Sequence, residues 1–306
     1  MLRFDKLADK PQVFQQLAGL SLQAFADLLP AFERAEAFFR AQQDQQRSRP
    51  RQRKHGGGRK PLLPSAADRF LFILFYFKIY PIQDVQAFFF GLSQAQAWDW
   101  IHRLTPVLNM ALGSEQHLPE RQPARMLQVL RQCPSLEFII DGTERPIQRP
   151  KDRTRRKTHY SGTKKRHTLK NIVVSERGTR KIKLLGRTHP GRKHDKKAAE
   201  EDGFRFPKRS KLLKDSGFQG YEPPGVRTRQ PKKKPRKGEL TAEEKAANQQ
   251  LARERVEVEH AIGGVKVFHI VRDVYRNHRA GFDDLVFETA CGLHNFRCDY
   301  RLSGAA

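Results

Sequence analysis

Residues 136–141 read Leu-Glu-Phe-Ile-Ile-Asp, a short apolar run that ends in an aspartate. A second run of the same kind, Leu212-Leu213-Lys214, is followed by Asp215. Short apolar runs bounded by turn residues are typical of buried strands. Gly142 follows the first aspartate, and Gly217 lies two positions after the second. The sequence therefore predicts two core strands of one sheet, each ending at a carboxylate with open glycine backbone beside it.

The segments around these runs predict the rest of an α/β domain. Strands are predicted at 138–141, 168–175, 181–186 and 211–214, and helices at 194–201, 239–266 and 282–296. Gly178 makes the turn between the second and third strands. The order of strand, hairpin strands, helix, strand and helix is typical of a mixed sheet covered by helices.

The N-terminal part of the chain predicts helices only, at 12–43, 65–80, 83–90, 93–108 and near 120–132. Gly91-Leu92-Ser93 forms a tight turn before the fourth of these, with Ser93 as its N-cap. This is helix-turn-helix spacing, and the second helix would present outward Gln94, Gln96, Asp99 and Arg103. An ordinary helical hairpin has the same spacing, and the charge of the whole chain favours DNA binding.

Changes in composition divide the chain into regions. Residues 46–63 are basic and contain glycines, and residues 222–238 combine prolines with lysine and arginine, so neither segment can bury a core. We interpret the first as a flexible linker and the second as a mobile basic loop that orders on DNA; a merely solvated linker is the alternative. The predicted regions are an N-terminal helical region 1–45, the linker 46–63, a helix-turn-helix domain 64–110, a helical connection 111–135 and an α/β domain 136–300.

The composition predicts a partner of opposite charge. The chain has 59 Lys and Arg against 33 Asp and Glu, a net charge of +26, which favours a polyanion such as nucleic acid. A ribosomal or histone-like binder without chemistry is the alternative. No apolar run reaches the length of a membrane span, and the N-terminus lacks the apolar core of a signal peptide. The three cysteines have no CxxC spacing, so we expect a soluble protein of a reducing cytoplasm.

A third carboxylate follows on the predicted helix 239–266. Each helical residue advances by about 100 degrees, so Arg255, Glu259 and Lys266 share one face while Glu257 points away, to water or a surface pair. Two divalent ions in a phosphoryl-transfer site need oxygen ligands that leave positions open for a phosphodiester. We therefore predict an enzyme acting on nucleic acid, with the carboxylates Asp141, Asp215 and Glu259.

Basic side chains alternate with hydroxyls and an aromatic ring in the segment 159–170. This pattern suits phosphate contacts combined with stacking on an unpaired base. The candidate DNA-binding residues there are Tyr160, Lys164, Lys165 and Lys170.

A second group, His189, His194 and Asp195, raises the question of another metal site. Its spacing matches no common zinc pattern. A helix-capping role is enough to explain Asp195.

With these residues in view, the chain resembles bacterial insertion-sequence transposases of the DDE superfamily, in the insertion sequence five branch related to eukaryotic Harbinger transposases. The resemblance covers about residues 58–297. Its motifs are Asp141-Gly142-Thr143, Tyr160-Ser161-Gly162-Thr163-Lys164-Lys165 with His167-Thr168-Leu169-Lys170, Gly191 with His194-Asp195, Asp215-Ser216-Gly217-Phe218-Gln219-Gly220-Tyr221, and Arg255, Glu259 and Lys266.

The helix motif can be compared with the signature of this broad group, which reads Tyr, two residues, Arg, three residues, Glu, six residues, Lys. Arg255, Glu259 and Lys266 match the last three positions, and this match selects Glu259 over Glu257. The Tyr position falls on Ala252, where the chain departs from the signature. Tyr221 and Tyr160 are the candidates for the missing Tyr.

The resemblance implies a ribonuclease-H-like fold and cut-and-paste DNA transposition. Two Mg²⁺ ions, with Mn²⁺ as an alternative, would be held by Asp141, Asp215 and Glu259, and Arg255 and Lys266 would hold DNA phosphates. The helix-turn-helix would recognise the terminal inverted repeats. The implied partners are double-stranded repeat and target DNA and further copies of the chain in a synaptic complex, in the bacterial cytoplasm at the nucleoid.

Two other functions are compatible with the sequence. One is a related metal-dependent nuclease, or an inactive remnant, that cuts or binds DNA without strand transfer. The other is a DNA-binding regulator that uses residues 64–108 and keeps the rest as scaffold. Replacement of Asp141 with Ala separates them, because a regulator would keep all its activity whereas a transposase would bind DNA and lose cleavage.

Overall fold

The computed structural model describes residues 1–46, 61–235 and 238–303. The chain forms two compact units, one of residues 1–118, 267–270 and 285–300 and one of residues 119–266 and 271–284 with the C-terminal residues from 301. Most of the predicted linker 46–63, and residues 236 and 237 of the predicted basic loop, lie outside the described residues. No helix in the described ranges is long and apolar enough to cross a membrane.

The first unit is helical and is organised around phenylalanine rings. Its first helices are α1 (Pro11–Ala18), α2 (Leu22–Gln45), α3 (Ala66–Ile79), α4 (Gln83–Phe90) and α5 (Gln94–Ser114). Phe25 and Phe32 of α2 stack on Phe70 of α3, with ring centroids 4.5 and 4.7 Å apart. Helices predicted as an N-terminal region and as a separate helix-turn-helix domain thus share one core.

The turn between α4 and α5 has the predicted chemistry. Gly91 has a φ of 67°, a conformation that glycine adopts without strain. The Ser93 side chain accepts a hydrogen bond from the backbone of Gln96, whose own side chain accepts from the Ser93 backbone. Helix α5 continues to Ser114 rather than ending at Leu108, and it passes through Pro106. Its buried apolar stripe extends to Leu112, so packing overrides the local signal to stop.

The second unit contains a mixed sheet with helices around it. Its elements are α6 (Pro123–Arg131), β1 (Glu137–Pro146), α7 (Arg153–His159), β2 (Tyr160–Ser161), β3 (Arg166–Glu176), β4 (Ile182–Leu185), β5 (His189–Pro190), α8 (Asp195–Asp202), β6 (Lys211–Leu213), β7 (Arg227–Arg229) and α9 (Ala242–Lys266), followed along the chain by α10 (His269–Arg272) and α11 (Phe282–Ser303). The strand order is β2-β3-β1-β6-β7, and β4 and β5 also pair with β3. β1 is antiparallel to β3 and parallel to β6, which confirms the predicted mixed α/β sheet.

Strand β1 is longer than predicted, and Asp141 does not end it. The ladder with β3 runs from Phe138 opposite Glu176 to Pro146 opposite Thr168. The parallel ladder with β6 stops where Ile139 lies opposite Leu213. Asp141 is therefore inside β1, just beyond the point where its parallel neighbour has ended.

The predicted mobile loop 222–238 is partly ordered as a strand. In β7, Arg227 lies opposite Lys211 of β6 in a parallel pair. Arg229 then forms an ion pair with Glu254 of α9 at 3.0 Å. Backbone pairing and this ion pair order a segment whose composition cannot supply a core of its own.

Alternation along the strands divides the sheet into two faces. Phe138 and Ile140 pack into a core that includes Ala198 of α8, whereas Ile139 and Leu213 pack against Val258 of α9. Because side chains two positions apart share a face, Asp141 lies on the α9 face of β1. The helix that carries the third predicted carboxylate is thus anchored beside the first.

Candidate active site

Asp141 is a partly buried carboxyl group with a perturbed pKa. Its Oδ1 accepts a hydrogen bond from the backbone of Gly142 at 2.9 Å. Burial, followed by repulsion from Asp215, raises the pKa of Asp141 to about 6, although Arg255 and the Gly142 hydrogen bond act in the opposite direction. The structure thus brings the first two predicted acids into electrostatic contact, together with the predicted arginine.

Asp215 follows β6 and begins a short 3-10 turn over Ser216–Phe218. Its Oδ1 accepts a hydrogen bond from the backbone of Gly217 at 2.7 Å, which fixes the side chain. The other oxygen, Oδ2, lies 3.9 Å from Nη2 of Arg255 on α9. Arg255 therefore connects α9 to the end of β6, and Asp215 keeps one oxygen without a backbone donor.

A further carboxylate, that of Asp195, lies beside Gly142 and Gly217, the glycines that follow Asp141 and Asp215. A Cβ built on Gly142 would lie 3.0 Å from Asp195 Oδ1, and one built on Gly217 would lie 2.8 Å from Oδ2. Only glycine at these two positions leaves room for the Asp195 carboxylate. The signal in the sequence was the pair of glycines after Asp141 and Asp215, which we had interpreted as open backbone beside the two carboxylates.

Asp195 does not act as the helix cap that we had predicted. The N-cap position of α8 is His194, which makes no side-chain capping bond, and Asp195 is the first helical residue. Asp195 Oδ1 instead lies 2.7 Å from the Lys170 ammonium, which also donates to the carbonyl of Lys193 at 2.7 Å. Lys170 is buried and also lies 3.6 Å from Glu144, so this predicted DNA-binding lysine is committed to carboxylates inside the protein.

Helix α9 presents its charged residues in two directions. Glu257 accepts a hydrogen bond from the backbone of Gly178 at 2.8 Å and lies 3.9 Å from Arg177, so it is tied to the β3–β4 turn. Glu259 is exposed and has no hydrogen-bond or ion-pair partner among the described residues. The two glutamates thus differ as the helical spacing predicted, and Glu259 is the one whose carboxylate remains available.

Lys266, at the end of α9, is close to the acids of β1. Burial and the neighbouring Lys164 lower the pKa of Lys266, while Asp141 and Glu144 raise it. Lys266 is therefore a cation within electrostatic reach of Asp141, and Lys164 is a second cation near Lys266. Such an arrangement suits a site in which phosphate oxygens lie next to carboxylates.

The donor set is compatible with a hard divalent cation. Carboxylate oxygens of the Asp141 and Asp215 kind are the ligands that Mg²⁺ prefers. A cation between them would offset the repulsion that raises the pKa of Asp141. The described residues contain no cluster of three or more Asp, Glu, His or Cys already arranged around one ion. Glu259 would have to turn toward the two aspartates to complete such a set.

The residues predicted to read DNA on α5 lie in the first unit. Gln94 is exposed and donates a hydrogen bond to Gln83 at 2.7 Å, and Gln96 is exposed but serves the capping box of Ser93. Arg103 is partly buried over the ring of Trp100, and burial lowers the pKa of its guanidinium. DNA contacts by Gln94, Gln96 and Arg103 remain predictions.

Three of the candidate DNA-binding residues in the segment 159–170 remain open to a ligand. Lys164 and Lys165 are exposed, and Tyr160 is 44% exposed at the start of β2.

Tyr221, the other candidate for the missing Tyr of the helix motif, is buried in the core on the α8 face of the sheet. Burial raises its pKa. Tyr160 is therefore the more accessible of the two rings.

His189 does not have a free ring for a second metal. Its Nε2 lies 2.9 Å from Asp202, and its Nδ1 lies 3.3 Å from the Lys193 ammonium. His194 is exposed at the N-cap of α8. Both ring nitrogens of His189 are thus engaged by other side chains.

Comparison with known proteins adds two findings. A family described as DDE superfamily endonuclease matches residues 140–295, a range that contains Asp141, Asp215 and Glu259. The chain is also 28% identical, over 286 residues, to the probable transposase for insertion sequence element IS702 of Microchaete diplosiphon, with 92% of this chain and 93% of that protein covered. No solved structure matches the chain.

Proposed function

The chain belongs to the DDE superfamily endonucleases, and from this premise we propose that it is a DNA transposase. It would cleave DNA at the terminal inverted repeats of an insertion sequence and join the freed ends to target DNA. The relative from Microchaete diplosiphon, described as a probable transposase, supports this function because the similarity extends over almost all of both chains.

The observation that carries the proposal is the electrostatic contact between Asp141 and Asp215. A carboxyl group whose pKa is raised by burial and by a neighbouring carboxylate is costly to ionise without a cation, and such perturbed groups concentrate at functional sites. Arg255 lies beside Asp215, and Lys266 lies near Asp141. These two cations would bind phosphates of the DNA next to the scissile bond. Divalent ions would supply an activated water or hydroxyl nucleophile and stabilise the leaving oxygen.

Glu259 is our candidate for the third carboxylate. Val258 fixes this part of α9 against Ile139 and Leu213, so the backbone of Glu259 is held beside the sheet while its side chain is unpaired. Asp195 and Lys170 would act as positioning residues, because their ion pair fills the space between the two glycines that follow the aspartates. Asp195 was absent from the set that the sequence predicted.

The finer features of the proposal come from the resemblance and the helical unit. They are a ribonuclease-H-like fold, the insertion sequence five branch, a cut-and-paste pathway with Mg²⁺ or Mn²⁺, recognition of the terminal repeats by α4 and α5, and a homo-oligomeric complex at the bacterial nucleoid. The turn chemistry of α4 and α5 supports the recognition role, since the first turn of α5 is exposed.

The test is a cleavage and joining assay with Mg²⁺ on DNA that carries the inverted repeats flanking the gene. We expect cleavage and joining by the wild type, and loss of both in Asp141→Asn and Glu259→Gln with DNA binding retained. Glu257→Gln is the matched control, because that carboxylate is tied to the β3–β4 turn. Cleavage without joining in the wild type would favour a related nuclease, and full activity of Asp141→Asn would exclude the proposed site.

A further inference from the structure

The second unit contains an open cavity of about 920 Å³ beside α7, which we call the α7 pocket. Five cations line it, namely Arg149, Arg153, Arg156, Lys157 and Arg192. In the described part of the chain, no Asp or Glu lines this cavity and none of the five has an ion-pair partner. Positive charges that face one space without counter-charge repel each other, so the pocket is suited to an anion.

The five cations are brought together by local structure. Arg153, Arg156 and Lys157 are spaced three and four residues apart on α7, so they share one face of the helix. Asp152 starts this helix by accepting a hydrogen bond from the backbone of Arg155. The backbone of Arg192 donates to the carbonyl of Thr158 at 3.1 Å, which holds the loop before α8 against the end of α7. The positive wall is therefore built from separate segments of the chain.

An aromatic ring completes the pocket. Tyr160 is 44% exposed, and His167, opposite it in the β2–β3 pair, contacts it edge-on with ring centroids 5.5 Å apart. Its hydroxyl has no hydrogen-bond partner among the described residues. A ring with an exposed surface between cations matches the combination by which proteins bind unpaired nucleotides, in which the base stacks and the phosphates contact arginine or lysine.

We propose that the α7 pocket binds an unpaired nucleotide of a DNA strand, with the base stacked on Tyr160 and its phosphates held by Arg153, Arg156 and Arg192. The proposal rests on the proposed function, since it gives the same enzyme a second contact with its DNA. A nucleotide fits a cavity of this size, whereas in an intact duplex both faces of each base are already stacked on its neighbours. The pocket thus distinguishes an opened end from continuous duplex.

The experiment measures DNA binding by fluorescence anisotropy in EDTA, so that cleavage plays no part. The two probes are a blunt duplex and the same duplex with a tail of about five unpaired nucleotides. We expect the wild type to bind the tailed probe more tightly. Tyr160→Ala should reduce this preference by at least about fivefold, and Arg153→Gln with Arg156→Gln should reduce it further.

Two matched controls define the result. Tyr160→Phe keeps the ring and should keep the preference, and Lys208→Gln removes an exposed positive charge that does not line the pocket. Equal binding of both probes by the wild type, or a preference unchanged in the pocket variants, would overturn the proposal. The two proposals fail separately: tail binding without cleavage contradicts the transposase, and cleavage with no tail preference contradicts the pocket.

Discussion

At the scale of single residues, Gly142 is a backbone position of the site that leaves little room for a side chain. A methyl group there would lie 3.0 Å from Asp195 and would push its carboxylate away from Lys170. We expect Mg²⁺ to raise the melting temperature of the wild type. We expect Gly142→Ala to lose most of that rise. Gly263→Ala is the control, because its methyl group meets nothing within 4 Å. An unchanged Mg²⁺ response in Gly142→Ala would show that Asp195 has no part in the site.

The pKa of Asp141 makes stability depend on pH. Burial and Asp215 raise this pKa from 3.8 to about 6. Between these two pH values, Asp141 keeps its proton in the folded protein and has released it in the unfolded chain. The contribution of Asp141 to the free energy of unfolding therefore falls as the pH rises from about 4 to about 6. In EDTA at pH 7.5, Asp141→Asn should be more stable than the wild type by roughly 1–3 kcal/mol.

Denaturant unfolding at two pH values tests this expectation. Near pH 4 Asp141 is protonated in the folded protein and about half protonated in the unfolded chain, so the advantage of Asp141→Asn should largely disappear. An advantage of the same size at both pH values would mean that the substitution acts through packing rather than through the charge.

At the scale of elements, α9 packs on the sheet through Val258, with Leu251 and Ile262 beside it. Val258 is fully buried against Ile139 and Leu213, whereas Val256, two positions earlier, is 38% exposed. We expect Val258→Ala to lower the free energy of unfolding by about 1–3 kcal/mol and to reduce cleavage, because the same helix carries Arg255 and Glu259. Val256→Ala should change both by little. Thermal unfolding and the cleavage assay provide the comparison, and equal effects of the two variants would contradict this role for Val258.

The elements also show what could be predicted from the sequence. Apolar runs located the inner strands, and cap and turn residues located α4 and the start of α5. The second half of β1 was missed because Glu144, Arg145 and Pro146 are typical of loops. Arg145 is fully buried in the structure, where it donates to Asn171 and to the carbonyl of Asp283. Such long-range partners override local propensity and leave no periodic signal.

The candidate site was predictable to a similar extent. Asp141 and Asp215 each follow a recognisable apolar run in the sequence, and the 100-degree helical step separated Glu259 from Glu257. The position of Asp195 beside Asp141 and Asp215 was not predictable, because it depends on how closely two glycines from distant segments approach its carboxylate. Lys170 was interpreted as a DNA contact because its charge is visible in the sequence, whereas its burial is not.

At the scale of the whole molecule, we expect the net charge of +26 to dominate binding to DNA. Each neutralised phosphate steepens the dependence of log affinity on log salt by about 0.9 on duplex DNA. For the wild type we expect log affinity to fall with log salt concentration with a slope of about −5 or steeper, measured by anisotropy from low to moderate salt. A flat response would show that the basic surfaces do not dominate binding.

The two aspartates of the site are attached to strand pairs of unequal length. Asp141 lies within the long β1–β3 ladder, whereas Asp215 follows β6, whose parallel pair with β1 spans three residues. A short ladder opens before a long one, so amide hydrogens of β6 should exchange with solvent sooner than those of β1 and β3. Local opening of β6 would then separate Asp215 from Asp141 under conditions in which the rest of the protein stays folded. We expect a bound DNA complex to oppose this opening by holding both segments in place.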